Sequence, residues 1–144
     1  MLIVRFRQTF RERASEWVVS FILCFWGFTV LQSVGLFDRP FYAPLSHAAP
    51  QSVWGWGAFM IGLLRLVVLF INGAWWRTPM FRQIGAGFGM MVWIMLMMGA
   101  LSIEWRSPAI AAYLGLFALD ALNLSFASRD AANSTRGSRA HGSD

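Results

Sequence analysis

Arg65 and Asp120 carry the clearest chemical potential in this sequence, because each lies inside an otherwise uncharged apolar run. A charge at the centre of a membrane-crossing helix costs about 2.5–3.5 kcal/mol on insertion scales, so such a residue marks a partner or a function. Arg65 lies 12 residues past Val53, and Asp120 lies 11 past Ala109. At about 1.5 Å per residue these are depths of about 18 Å and 16–17 Å, measured from the same face of the bilayer. A buried ion pair at that level, between neighbouring second and fourth spans, resolves both insertion costs. Three roles stay open: a structural pair, a functional pair in a pore or carrier, or no pair, with Arg65 snorkelling to the headgroups. Asn72 and Asn123 complete the candidate intramembrane polar cluster, and Asn123 is placed to add a hydrogen bond to Arg65. Helical spacing puts Gly55, Ala58, Gly62, Arg65 and Asn72 on one side of their span, and Tyr113, Phe117, Asp120 and Asn123 on one side of theirs.

Other chemistry finds no constellation. The two histidines, His47 and His141, fall in a loop and in the C-terminal tail, so no His/Cys/carboxylate set has metal-ligand spacing. Cys24 is the single cysteine and forms no intrachain disulfide; this also excludes four-span thiol oxidoreductases, which need cysteine pairs. Ser20, Ser33 and Ser125 have no general base nearby, and Glu104 belongs to a solvated turn with Trp105 and Arg106. Met90, Met91, Met95, Met97 and Met98 invite soft-metal ligation, but without His or Cys on that segment packing is the better reading. Gly85 and Gly89 form a small-xxx-small pair for helix approach, and no dinucleotide fingerprint is met. We therefore expect no catalytic, cofactor-binding or metal-binding residue, and a protein that is not an enzyme.

The elements that must position these residues are membrane spans. Four apolar runs, 17–37, 53–71, 84–103 and 109–126, are long enough to cross about 30 Å of hydrocarbon. The first is too long for a cleaved signal core, which runs about 7–15 residues, so it is expected to be retained. Residues 1–16 read as an amphipathic segment at the inner membrane surface, or as a merely basic leader into the first span. Residues 38–52, 72–83 and 104–108 read as connections, with Pro108 suited to the first turn of a helix. Residues 127–144 lack large apolar side chains and read as a disordered tail. The expected fold is all-α: one integral membrane domain, 1–126, of four transmembrane helices in a bundle.

Composition agrees. Of 144 residues, 57% are hydrophobic and 13% charged, about half the charge of a soluble domain. The basic residues are 12 arginines with no lysine, and they gather at the ends of the apolar runs. This argues for topology rather than nucleic acid. Arg5, Arg7, Arg11, Arg13, Arg77, Arg82, Arg129, Arg136 and Arg139 fall on one side, and Arg39 and Arg106 on the other. That bias predicts both termini in the cytoplasm of a bacterium, with the spans in its inner membrane. The expected partners are the lipid bilayer and other membrane proteins or further copies of this chain.

Residues 54–86 carry Trp54-Gly55, Gly62 with Arg65-Leu66, Asn72-Gly73, Thr78-Pro79, and Arg82 with Gly85-Ala86. This segment resembles small four-span membrane proteins encoded by bacteriophages and prophages. The resemblance covers about a quarter of the chain and implies origin and topology, with no activity to carry over. The patterns of small multidrug carriers and small fluoride channels are not met. The expected function is that of a non-enzymatic membrane protein acting through helix packing or protein contacts. The alternatives are a holin-like pore former and a small transporter using Arg65 and Asp120.

Overall fold

The computed structural model of the protein describes residues 13–71 and 78–141. Within them lie five α-helices and no strand: α1 (Ala14–Gln32), α2 (Ala43–Ala48), α3 (Gln51–Ile71), α4 (Thr78–Ile103) and α5 (Pro108–His141). Four of these, α1, α3, α4 and the first part of α5, are long and apolar enough to cross a membrane. The protein is thus a multi-pass, all-α membrane protein.

Helix α3 packs against α1 and α4, while α5 packs against α4 and α1. The four long helices alternate in direction and close a square in the order α1, α3, α4, α5. Its diagonals are α1–α4 and α3–α5, which have little direct packing. Most contact falls within α1/α3 and within α4/α5, so the square is two hairpins laid side by side. One end of the bundle, here the terminal end, carries Ala14, Ile71 and Thr78. The other, the loop end, carries residues 33–50 and 104–107.

In lipid, apolar faces gain nothing by leaving the hydrocarbon, so close helix packing needs small residues. The α1/α3 hairpin uses them. A Cβ built on Gly27 would lie 2.3 Å from the Phe59 nitrogen, and one on Gly62 would lie 2.5 Å from the Cys24 nitrogen. Any side chain there would part the two backbones. Val19, Leu23, Trp54, Ala58, Val92, Trp93 and Leu96 fill the core. Phe21, Phe25, Phe70, Met98, Leu114 and Leu122 point outward, as a lipid-facing surface requires.

The largest differences from the sequence reading fall in four places. Helix α1 stops at Gln32, not at 37, because Ser33 is extended and Gly35 takes a left-handed φ of 64° that turns the chain. Gln51 holds this turn: its Nε2 donates to the Val30 and Ser33 carbonyls, and its Oε1 accepts from the Phe37 amide. The expected loop 38–52 contains helix α2 and two short 3-10 turns, Leu36–Asp38 and Pro40–Tyr42. It folds over the loop end, where Trp54 Nε1 donates to the Leu45 carbonyl at 2.9 Å. The Phe41 backbone sits against Gly99, where an added Cβ would come within 2.0 Å of the Phe41 oxygen. Burial pushes the Tyr42 phenol above its ordinary pKa, with Arg39 pulling the other way.

Helix α4 begins at Thr78, six residues before the expected 84. Pro79 explains this, since the first turn of a helix tolerates its missing N–H. Helix α5 starts at Pro108 as expected but continues to His141, through most of the segment read as a disordered tail from 127. The segment contains no proline, and once a helix exists each further residue adds a bond without a new nucleation cost. The amphipathic segment 1–16 falls largely, and the last residues of the tail wholly, outside the described residues.

Candidate functional site

Arg65 on α3 and Asp120 on α5 form an ion pair, with Arg65 Nη2 donating to Asp120 Oδ1 at 2.6 Å. Asp120 is fully buried and Arg65 nearly so. The second carboxylate oxygen, Oδ2, accepts from Trp93 Nε1 on α4 at 2.9 Å. Arg65 Nη1 also donates to the Gly85 carbonyl on α4, at 3.2 Å. Three helices thus contribute to one network, and each carboxylate oxygen holds a donor. A pair taken out of water is sustained when such extra hydrogen bonds complete it.

The neighbouring helices expected for Arg65 and Asp120 are not what the fold provides. Helices α3 and α5 stand on a diagonal of the square, and the side chains meet across the bundle interior alongside α4. Room for them comes from Gly85 and Gly89. A Cβ on Gly85 would lie 2.6 Å from Arg65 Cγ, and one on Gly89 would lie 2.1 Å from Asp120 Oδ2. The small-xxx-small pair therefore cradles charged side chains rather than another helix backbone.

A second buried ion pair crosses the other diagonal. Arg82 on α4 donates through Nε to Glu16 Oε2 on α1 at 2.8 Å, and through Nη2 to Glu16 Oε1. This bidentate fork matches the planar guanidinium to the carboxylate and is the stronger form of such contacts. Both residues are buried. Arg82 precedes Gly85 by three residues, so the second pair lies about one helical turn nearer the terminal end.

The sequence reading misses this pair, because charges at the edges of apolar runs are explained by topology alone. A signal exists nonetheless. Arg82, Gly85, Gly89 and Trp93 recur at spacings of three and four, as do Glu16, Ser20, Leu23 and Gly27. Each set traces one buried helix face. Trp93 lies mid-span, and its indole N–H needs an acceptor when buried.

Asn123 does not bond Arg65 as expected. It lies a turn beyond Asp120, and its Oδ1 accepts from Ser15 Oγ of α1 at 3.0 Å. The Arg65 guanidinium is already occupied by Asp120 and the Gly85 carbonyl. The Asn123 amide nitrogen is buried and has no partner among the described residues. Asn72, the fourth residue of the expected cluster, lies outside the described residues.

Chemically, the arrangement is two neutralised acid–base pairs stacked along the bundle interior. No protein-family model, curated protein or solved structure matches this chain.

Proposed function

We propose that the chain is a non-enzymatic protein of a bacterial inner membrane, of phage or prophage type, which acts through helix packing and contacts with other membrane proteins or further copies of itself. The observation that carries this reading is that each of two ion pairs lies across a bundle diagonal and neutralises its own buried acid and arginine there. A holin-like pore needs polar positions left open to water along several helices, whereas these charges consume one another. Overexpression in a Gram-negative host is therefore expected to cause no abrupt, timed lysis. Culture density and dye entry after induction check this. A sudden collapse at a set time, abolished by substitution of Arg65, would select the pore instead.

The resemblance of residues 54–86 to phage-encoded four-span proteins supports the origin. The arginine bias supports the orientation: both termini and residues 72–83 cytoplasmic, and 38–52 and 104–108 periplasmic. The alternation of the four long helices is compatible with that threading. Reporter fusions at residue 45 and at the C-terminus are expected to report periplasm and cytoplasm respectively. A periplasmic signal from the C-terminal fusion would overturn the orientation.

A small transporter using Arg65 and Asp120 is the second reading. Its one supporting observation is the Asn123 amide a turn away, which has no partner among the described residues and which a polar solute could engage.

A further inference from the structure

Among the described residues, each hairpin carries one buried acid and one buried arginine. Glu16 and Arg65 belong to α1/α3, and Asp120 and Arg82 to α4/α5. Within neither hairpin do the two opposite charges pair with each other. Both ion pairs instead run from one hairpin to the other, as do the bonds from Arg65 to the Gly85 carbonyl and from Ser15 to Asn123. The cohesion inside the first hairpin is of another kind, namely backbone approach at Gly27 and Gly62. Apolar helix faces have no drive to leave lipid for each other, so what tells one hairpin from any other apolar hairpin is its charge pattern.

We infer that the two hairpins are separable modules that recognise one another by a crossed two-by-two charge pattern. The partner each fits is the complementary hairpin of this chain. The pattern is selective because sliding a hairpin by one turn, or turning it over, breaks both ion pairs inside a low-dielectric interior. Like charges brought together would add repulsion. The covalent connection between α3 and α4 then serves delivery rather than cohesion.

The test uses the full chain. A protease site is inserted between residues 71 and 78, a tag is placed at the C-terminus, and the purified protein is cleaved in mild detergent. The N-terminal half is expected to stay with the tagged half after cleavage. Glu16→Arg, which faces Arg82, is expected to release it at least about tenfold faster. Adding Arg82→Glu to Glu16→Arg is expected to restore retention. Three results would each overturn the inference: separation of the unsubstituted halves on cleavage, undiminished retention with Glu16→Arg, or failure of the exchanged pair to restore it. If Glu16→Arg yields no folded protein before cleavage, the exchanged pair alone decides, with retention supporting the inference and release overturning it.

Discussion

Arg65→Leu and Asp120→Leu are each expected to destabilise the bundle by about 3–5 kcal/mol, the usual cost of stranding one member of a buried pair. The double substitution is expected to recover much of that loss, because no charge is left uncompensated. It does not recover all of it. Trp93 Nε1 donates to Asp120 Oδ2, so the double variant leaves this indole N–H unpaired, at a cost of about 1–3 kcal/mol. Adding Trp93→Phe should remove that remainder. The exchange of Arg65→Asp with Asp120→Arg is a poorer rescue, since an arginine at 120 would set its own donors against the Trp93 N–H. Melting temperature and detergent-stable yield across the series decide the matter. If the two single effects simply add in the double variant, the residues are uncoupled.

Gly89→Ala is expected to be among the most damaging single-methyl additions in the chain, with a loss of at least about 3 kcal/mol. The new Cβ would sit 2.1 Å from Asp120 Oδ2, 3.0 Å from its Cγ and 3.2 Å from Arg65 Nη1. Asp120 cannot retreat, because Arg65 and Trp93 hold both of its oxygens and no part of it is exposed. Gly87→Ala is the matched control on the same helix. Nothing lies within 4 Å of a Cβ there, and alanine is about 1 kcal/mol better than glycine inside a helix. Its melting temperature should stay level or rise. Similar losses at both positions would mean that the cradle at Gly89 is not what holds the pair.

The contrast between these two glycines also marks what the sequence could reveal. Hydropathy and spacing find the four spans and the level of Arg65 and Asp120, because depth is a count of residues along a helix axis. They do not find which helices stand side by side. Azimuth is set by packing between helices, and the close approach at Gly27 and Gly62 commits α3 to α1 and leaves α5 across the square. Glu16 and Arg82 escape notice for a different reason. At the edge of an apolar run a charge costs little if it faces water, and only the face it occupies shows that it turns inward. The end of α1 escapes because Val34, Leu36 and Phe37 are as apolar as any span, while the turn that removes them depends on the backbone at Gly35. The extension of α5 escapes because a polar composition predicts the absence of a core, and a helix that is already nucleated needs none to continue.

That extension has a mechanical consequence. The span-length part of α5 ends at Arg129, and the helix continues 12 residues further, to His141. At about 1.5 Å per residue this adds an arm of about 18 Å in line with the segment that holds Asp120. A coil of the same length would absorb a pull or twist at its tip. A helical arm passes torque along its axis, so a load applied near His141 would act as a crank on the carboxylate that pins the two hairpins together.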